Sequence, residues 1–339
     1  MPTDTILVTG AAGFIGFHVA RRLLNDGHRV VGIDSLNDYY DPGLKRDRLA
    51  EIEGEAGFEF RRMDLADGDA TARLFDERDL DVVVHMAAQA GVRYSLEQPQ
   101  EYVDSNLVGF VNVLEGCRHD DVDNLIFASS SSVYGANRKV PFETTDTTDH
   151  PVSLYGATKK SNELLAHSYA DLYDIPCTGL RFFTVYGPWG RPDMAYFLFT
   201  DRIVDGEPID VFGQGEMRRD FTYVDDVVEG VVRLCDVPAT PDENWNPENP
   251  AIGRSSAPFR IYNIGNGAPV DLMEFIGILE EKLGREAEKN FEPMQPGDVR
   301  ETWASVDGLR ESVDYKPSTS LEEGLEEFVT WYRNYHGLR

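Results

Sequence analysis

Residues 5–16 read TILVTGAAGFIG, an apolar run that passes directly into a turn containing Gly10, Gly13 and Gly16. The run predicts a buried strand, and the apolar residues after the turn predict a helix that ends at the turn formed by residues 25–27. Between a strand and a helix, such glycines allow a tight turn and a close approach of backbone to a pyrophosphate. The segment therefore predicts a dinucleotide site, with Phe14 and Ile15 beside the glycines. A glycine-rich turn without a ligand is the structural alternative.

An acidic residue stands at the place where the second strand of such a site ends. Asp34 follows Gly16 by 18 residues and closes the apolar run of residues 29–33. A carboxylate there accepts hydrogen bonds from ribose hydroxyls and repels a 2′-phosphate, which favours NAD over NADP. After the third strand, Asp64 and Leu65 are candidates to reach the adenine, although Asp64 equally suits the start of a helix.

Strands and helices alternate through the first half of the chain. Further buried strands are expected at residues 81–85 and 124–128, which with the first two predict an α/β fold with a Rossmann-like, doubly wound parallel sheet. Beyond residue 180 the alternation breaks up. A loop with five prolines is expected at residues 237–258, a strand at 262–265, and helices at 272–283 and 321–335, which indicates a second, smaller lobe.

The charge is the unusual part of the composition. The 339 residues include 32 Lys+Arg and 60 Asp+Glu, a net charge of −28, which disfavours nucleic acids and anionic membranes as partners. Three scattered cysteines suggest neither disulfides nor a metal site, and the N-terminus has no leader pattern, so a soluble cytoplasmic protein is expected. Only 7 of the basic residues are lysine, which suggests a protein suited to concentrated salt; an ordinary acidic enzyme is the alternative.

A second constellation suits alcohol and ketone chemistry. Tyr155 and Lys159 are spaced to share one helix face, and a run of four serines, 129–132, ends a buried strand 25 residues before Tyr155, counted from Ser130. A phenol titrates near about 10, and an ammonium together with a positive nicotinamide would favour its phenolate. With Ser130 hydrogen-bonding the same substrate oxygen, the set predicts a proton relay beside a hydride carrier.

The glycine turn, the serine strand end SSSSVYG (129–135) and Tyr155-x-x-x-Lys159 resemble the extended short-chain dehydrogenase/reductase family of nucleotide-sugar enzymes. Within it, residues 37–41, 87–95, 181–194 and 217–223 look like the UDP-glucuronate 4-epimerases. The resemblance implies reversible conversion of UDP-glucuronate to UDP-galacturonate through a 4-keto sugar, with tightly held NAD. It implies a NAD-binding domain of residues 1–180 plus about 222–265, and a smaller α/β UDP-sugar-binding lobe of about 181–221 and 266–339. It also suggests a homodimer formed by residues 102–117 and 154–173.

The resemblance also implies roles for individual residues. Tyr155 is the base for the 4-hydroxyl, Lys159 lowers the pKa of that phenol and holds the nicotinamide ribose, and Ser130 binds the sugar oxygen. Further residues on the cofactor side are Asn37, Ala87, Ala88 and Gln89, together with Asn106 and Phe183, which resemble positions that line the nicotinamide. Those on the substrate side are Ser131, Ser132, Thr184 and Arg191 near the sugar carboxylate, Arg219 at the diphosphate, Phe212 stacked on uracil, Asp298 at the uridine ribose, and, without an assigned role, Arg93 and Arg300. Arg300 stands where the family usually has proline, and a surface ion pair is the alternative for any of these arginines.

Three alternative functions remain open. A UDP-glucuronate decarboxylase shares the substrate and the 4-keto intermediate, but such enzymes carry an acidic residue where this chain has Ser131 and Ser132. A 4-epimerase of neutral UDP-sugars would leave Arg191 without an anionic partner in the pocket. A non-catalytic NAD sensor on the same fold would not need Tyr155, Lys159 and Ser130 together.

Overall fold

A seven-stranded parallel sheet runs through the computed structural model, which describes residues 4–294 and 300–338. Its central strands are short, and their side chains are almost all buried, as expected for strands covered on both faces. The strands of the described residues are Thr5–Thr9 (β1), Arg29–Asp34 (β2), Phe58–Arg62 (β3), Val82–His85 (β4), Asn124–Ser130 (β5), Cys177–Phe182 (β6), Thr184–Tyr186 (β7), Ile209–Phe212 (β8), Arg218–Tyr223 (β9), Phe259–Ile264 (β10), Pro269–Asp271 (β11), Lys289–Glu292 (β12) and Glu301–Thr302 (β13).

The order of strands in the large sheet is β10, β6, β5, β4, β1, β2, β3, and every neighbouring pair is parallel. From β1 the chain builds outward through β2 and β3, then crosses to β4 on the other side of β1. This reversal opens a crevice at the carboxyl ends of β1 and β4, where open α/β sheets bind ligands. The prediction of a Rossmann-like, doubly wound parallel sheet is confirmed.

Helices cover both faces of this sheet. In the described residues they are Phe14–Asn25 (α1), Pro42–Ala50 (α2), Gly68–Asp76 (α3), Tyr94–Glu97 (α4), Pro99–Val103 (α5), Gly109–His119 (α6), Leu154–Tyr173 (α7), Ala195–Asp205 (α8), Val224–Cys235 (α9), Leu272–Leu283 (α10), Asp307–Val313 (α11) and Leu321–Tyr335 (α12). A π-helical turn, Asp104–Val108, joins α5 to α6. Within residues 4–294 and 300–338, no helix combines the length and apolar character needed to span a bilayer.

Alternating side chains of the central strands divide the core into two layers. Ile6 and Val8 point to the layer that contains α1 and α9, whereas Leu7 points to the layer that contains Phe110 of α6. Burying one such side chain fully stabilises the fold by about 1.5–3 kcal/mol. The alternation follows from the two-residue period of a strand, so both faces of β1 must be apolar.

Residues after β6 build two smaller sheets. β11, β9 and β13 form one together with β7, and β8 pairs with β12 to form the other. α10 packs against both α8 and α12, which provides an apolar support for these strands. α12 begins with a capping box between Ser320 and Glu323. β10 returns to the edge of the large sheet, and the division of the chain into two lobes at the stated residues stays a prediction.

Candidate active site

A cavity of about 610 Å³ opens at the carboxyl edge of the large sheet. It is lined by residues from the ends of several strands and from the loops that follow them. Of the residues that the sequence predicts for the site, it is lined by Gly10, Gly13, Phe14, Ile15, Gly16, Asp34, Asn37, Asp64, Leu65, Ala87, Ala88, Gln89, Arg93, Ser130, Ser131, Ser132, Tyr155, Lys159, Phe183, Thr184, Arg191 and Arg219. One cavity therefore brings together the glycine turn and the Tyr155 constellation.

The glycine turn leaves no room for side chains. Gly13 N donates to Gly10 O at 2.8 Å, and Gly10 adopts a positive φ of 69°. A Cβ atom on Gly16 would lie 2.1 Å from Gly10 O, so α1 approaches the turn only because residue 16 is glycine. The first turn of α1 contains no acidic residue, and Gly13 offers no side-chain cap. The free backbone N–H groups in the first turn of α1 therefore suit an anion such as a pyrophosphate.

Asp34 lies at the end of β2 with its carboxylate partly engaged. Its Oδ1 accepts from Leu36 N at 2.8 Å and its Oδ2 from Ala12 N at 3.3 Å, which leaves acceptor capacity for ribose hydroxyls. Lys45, which sequence reasoning missed, lies 4.0 Å from Asp34 and donates to the backbone and side-chain oxygens of Asn37 at 3.0 and 2.5 Å. Burial lowers the pKa of Lys45. The arrangement fits the ribose side of NAD.

Asp64 follows β3 and lines the same cavity. Its Oδ1 accepts from Ala66 N at 2.9 Å, whereas the start of α3 is capped by Asp67, which accepts from Ala70 N at 3.0 Å. The helix-start alternative is therefore met by Asp67, and Asp64 remains a residue of the cavity wall.

Tyr155 and Lys159 lie on α7, which begins where Ser153 accepts from Gly156 N at 3.0 Å. Lys159 is buried, its Nζ donates to Ala128 O at 2.8 Å, and burial lowers its pKa to about 7. Burial raises the pKa of Tyr155, and the Ser130 hydroxyl and the charge of Arg191 act against that rise. The groups that lower this pKa in the structure are therefore Ser130 and Arg191, and the predicted contribution of Lys159 stays a prediction.

Asn106, predicted to line the nicotinamide, lies instead behind the cavity wall. It sits in the π-helical turn, where its Oδ1 accepts from Gln89 N at 2.8 Å and its Nδ2 donates to Gln89 O and Thr158 Oγ1 at 3.0 and 3.1 Å. Asn162 of α7 donates to Asn106 O at 2.6 Å. Because both Nδ2 hydrogens and Oδ1 take part in these bonds, Asn106 positions the loop around Gln89 against α7, and it is not among the residues that line the cavity.

Arg191 reaches the cavity already paired with a carboxylate. Its Nε and Nη2 donate to Oδ1 and Oδ2 of Asp193 at 3.0 and 2.5 Å. The expectation that a neutral sugar would leave Arg191 without an anionic partner is therefore wrong, because the partner lies two residues along the chain. Sequence reasoning missed Asp193, although a carboxylate spaced i+2 from an arginine across a proline was a usable signal.

Two predicted substrate residues, Phe212 and Arg300, do not line the cavity. Phe212 does not line the cavity: its ring lies under the guanidinium of Arg93, whose Cζ is 5.2 Å from the ring centroid, so stacking on uracil stays a prediction. Arg300 is exposed and paired with Glu216, which matches the surface alternative rather than a substrate contact. Arg219 lines the cavity, and its Nη1 donates to the backbone oxygens of Arg218 and Arg300. Asp298 lies outside the described residues.

Arg48 is a fully buried residue that no sequence argument singled out. Its guanidinium donates to Ala12 O at 2.9 Å, to Trp189 O at 3.0 and 2.7 Å, to Gly190 O at 3.0 Å and to Tyr40 Oη at 2.7 Å. One side chain thus joins the glycine turn to the loop that leads into Arg191. An arginine in the charged run of residues 45–48 gives no sign of burial, because such runs usually face solvent.

Known proteins resemble this chain over almost its full length. Residues 6–265 match the model of the NAD dependent epimerase/dehydratase family. A probable UDP-glucuronate 4-epimerase of Rhizobium meliloti is 53% identical over 331 residues, 97% of each protein. A crystal structure of UDP-glucuronic acid 4-epimerase from Bacillus cereus, in complex with UDP-glucuronic acid and NAD, is 36% identical with a TM-score of 0.86, covering 98% of this chain and 99% of that one.

A neutral-sugar enzyme is nearly as similar in fold. UDP-glucose 4-epimerase of Thermotoga maritima, solved with UDP-glucose, is 31% identical with a TM-score of 0.85, covering 98% of this chain and 99% of that one. The two TM-scores differ by 0.01, so likeness of fold does not separate a charged from a neutral sugar. The sugar has to be argued from the residues of the cavity.

Proposed function

The chain belongs to the NAD dependent epimerase/dehydratase family, and on that basis we propose that it interconverts UDP-glucuronate and UDP-galacturonate by inverting C4. The observation that carries this proposal is a single cavity with a glycine turn and Asp34 for a dinucleotide, and Tyr155, Ser130 and Arg191 for an acidic sugar. The relatives named UDP-glucuronate 4-epimerase support the same substrate. The reaction has no net redox change, which makes the chain an isomerase.

The cavity fits NAD. The glycine turn with the first turn of α1 would hold the pyrophosphate, Asp34 the adenosine ribose, and Lys159 the nicotinamide ribose. When bound, NAD would supply a hydride acceptor for C4 of the sugar, and its positive ring would favour the phenolate of Tyr155.

Tyr155 acts as the base. Its phenolate takes the proton of the 4-hydroxyl as the 4-keto sugar forms, and the phenol returns a proton when the ketone is reduced. Ser130 hydrogen-bonds the same sugar oxygen, and its hydroxyl acts to lower the pKa of Tyr155 against the effect of burial. Buried Lys159, fixed to Ala128 O, holds the ribose with its remaining N–H donors.

The carboxylate decides the outcome of the intermediate. A 4-keto uronate is a β-keto acid, so the pocket has to hold the carboxylate still to prevent loss of CO₂. Arg191, Thr184, Ser131 and Ser132 line the cavity and offer a guanidinium and hydroxyls for this purpose. No acidic side chain precedes Val133 in the serine turn, which separates this chain from decarboxylases.

An NMR time course tests the proposal. Purified protein is mixed with UDP-glucuronate without added NAD, in low salt and in molar KCl. UDP-galacturonate approaching an equilibrium mixture is the expected result and also reports retained NAD. Formation of a UDP-pentose with CO₂ would reassign the chain to the decarboxylases. Inertness toward UDP-glucuronate in both salts, with NAD added, combined with turnover of UDP-glucose, would reassign it to the neutral-sugar epimerases.

A homodimer through α7 is part of the proposal. Leu164, Leu172 and Tyr173 of α7 are exposed, with Leu164 and Leu172 two turns apart on one face. Val108, in the π-helical turn that packs on α7, is exposed as well. Large apolar side chains repeated along one helix face are typical of a contact between subunits.

Gel filtration in low and high salt tests the dimer. The wild-type protein is expected to elute as a dimer, and a variant carrying Leu164→Glu and Leu172→Glu as a monomer. Leu198→Glu places the same charge on α8 at a similarly exposed leucine and is expected to leave the dimer intact. A wild-type monomer in both salts would contradict the proposal.

We place the protein in the cytoplasm as a further part of this proposal. Its three cysteines, Cys117, Cys177 and Cys235, are all free thiols, as is usual in a reducing compartment. Cell fractionation with thiol labelling of the unfolded protein tests this, and a disulfide or an extracellular fraction would contradict it.

A further inference from the structure

Asp193 forms a bidentate ion pair with one edge of the Arg191 guanidinium. The two N–H···O bonds run from Nε and Nη2 of the guanidinium to the two carboxylate oxygens, at 3.0 and 2.5 Å. A guanidinium has five N–H donors, so this bidentate grip leaves three for another acceptor. Both residues line the cavity, and the free donors therefore belong to a side chain that is already fixed in orientation.

Tyr39 in turn fixes Asp193. Its hydroxyl donates to Oδ2 of Asp193 at 3.0 Å, and its ring lies 4.7 Å from that of Tyr94. Gly91 makes room for this hydroxyl, because a Cβ atom at residue 91 would lie 2.7 Å from Tyr39 Oη. Burial and the charge of Asp193 raise the pKa of Tyr39, so the phenol remains a donor over the working range of pH. The three residues form one assembled unit of arginine, carboxylate and phenol.

The ion pair between Asp193 and Arg191 changes the net charge of the site in which a sugar binds. With a neutral sugar bound, Arg191 and Asp193 sum to zero charge in a partly buried site. With a uronate bound, the unit and the sugar together carry one negative charge, but Arg191 offers oriented N–H donors to the carboxylate of the sugar. Without Asp193 the same arginine would present a bare positive charge, which attracts a uronate and is costly beside a neutral sugar.

We propose that Asp193, held by Tyr39, is a positioning residue that masks the charge of Arg191 and presents its free edge, so that the pocket recognises a sugar carboxylate by geometry more than by net charge. This inference rests on the proposed function, because it assumes a UDP-sugar whose C6 group meets Arg191. Its consequence is that Asp193 limits the preference for a charged sugar over a neutral one.

Calorimetry with two ligands tests the inference. Dissociation constants for UDP-glucuronate and UDP-glucose are measured on the protein as purified, in a Tyr155→Phe background that prevents turnover. Asp193→Asn is expected to raise the ratio of the UDP-glucose constant to the UDP-glucuronate constant roughly ten-fold, since an unmasked charge a few ångströms from the ligand is worth at least that factor. Asp193→Glu keeps the charge and is expected to restore a ratio near that of the parent.

Two further variants complete the design. Tyr39→Phe removes the hydroxyl that holds Asp193 and is expected to shift the ratio in the same direction by about two- to three-fold, the low end of the worth of one hydrogen bond, because the charge of Asp193 remains. If Asp193→Asn does not fold, the ratio measured in Tyr39→Phe tests the role of Asp193 in its place. Asp210→Asn breaks an exposed pair with Arg202 away from the cavity and is expected to leave the ratio unchanged.

The outcomes separate the two proposals. A wild-type protein that does not epimerise UDP-glucuronate counts against the proposed function. A wild-type protein that does, combined with an unchanged or lower ratio in Asp193→Asn, or in Tyr39→Phe where the former does not fold, overturns the role of Asp193 alone.

Discussion

Arg181 at the end of β6 and Glu163 of α7 form a buried ion pair between the large sheet and this helix. Nε and Nη2 of Arg181 donate to Oε1 and Oε2 of Glu163 at 2.8 and 2.9 Å, and Ser129 donates to the same carboxylate at 2.7 Å. Glu163 lies one turn beyond Lys159, so the pair fixes α7 against the sheet close to that lysine. The pair is almost inaccessible to solvent, with exposed fractions of 0% for Arg181 and 2% for Glu163.

Removing the charge of Glu163 should destabilise the fold strongly. Glu163→Gln preserves shape but leaves the Arg181 guanidinium buried without a carboxylate, which is expected to lower the free energy of unfolding by about 3–5 kcal/mol. Urea unfolding measures the change. Glu143→Gln, which breaks an exposed pair with Lys139, is the matched control and should cost about 1 kcal/mol or less. Equal losses of unfolding free energy for the two substitutions would show that the buried pair stabilises the fold no more than the exposed one.

The same pair predicts an acid sensitivity. Although burial acts to raise the pKa of Glu163, its pairing with Arg181 lowers it below the ordinary value of 4.5. The contribution to stability is therefore present above the unfolded pKa and is lost as the pH falls through the folded pKa. Part of the loss of stability below pH 4.5 should disappear in Glu163→Gln, as urea midpoints measured down the acid range would report.

Lys159 predicts a dependence at higher pH. Its folded pKa of about 7 lies below its unfolded value of 10.5, so between these values the unfolded chain binds more protons. The free energy of unfolding should therefore rise with pH from 7 toward 10.5. Lys159→Met should flatten that rise in denaturant titrations at stepped pH, whereas Lys316→Met, at an exposed lysine, should keep it. A rise of the same slope in Lys159→Met would rule out this lysine as its source.

Tyr155→Phe should abolish turnover and keep NAD bound. The substitution removes the phenol oxygen proposed to accept the sugar proton but leaves the ring and its edge contact with Tyr102, whose ring centroid lies 6.1 Å away. Activity is expected to fall by a factor of about 10² or more, the usual worth of a positioned base. NMR gives the activity and absorbance of the denatured protein gives the NAD content. Full activity in the variant would refute the assignment of the base.

High salt should stabilise this protein. A net charge of −28 makes the folded chain repel itself, and molar KCl shortens the range of that repulsion to about 3 Å. Thermal melts should show a gain of about 5 °C or more between low salt and molar KCl. A variant with Glu51, Glu53 and Glu55, all exposed at the end of α2, changed to Gln should melt higher in low salt and gain less from KCl. No gain in the wild type would contradict adaptation to salt.

The sequence predicts the frame of this molecule well because its signals are local. The apolar run of Thr5–Thr9 and the amphipathic pattern of Leu321–Tyr335 both depend on neighbours a few residues away, and the observed bounds of these elements agree with the prediction. The glycine turn is equally local. Its tightness follows from the contact of residue 16 with Gly10 O.

The relationships that the sequence did not reveal join residues far apart. Arg48 meets Trp189, and Tyr39 meets Asp193, across more than 140 residues in each case. Charge pattern alone makes Arg48 a surface residue, because runs of charged residues usually face solvent. Only the folded chain supplies the carbonyl oxygens that surround Arg48 and places Asp193 against Tyr39, since these contacts depend on packing rather than on spacing.

The interior position of Arg48 affects how the protein attracts its ligands. The acceptors described for its guanidinium are backbone and phenol oxygens, so among the described contacts its positive charge meets no carboxylate. NAD and UDP-sugars are anions, and the acidic exterior repels them over a distance that shrinks as salt is added. A charge enclosed behind Ala12 is screened far less. Added salt thus weakens the long-range repulsion by the acidic surface more than the short-range attraction by Arg48. The affinity for nucleotides should therefore persist in concentrated salt.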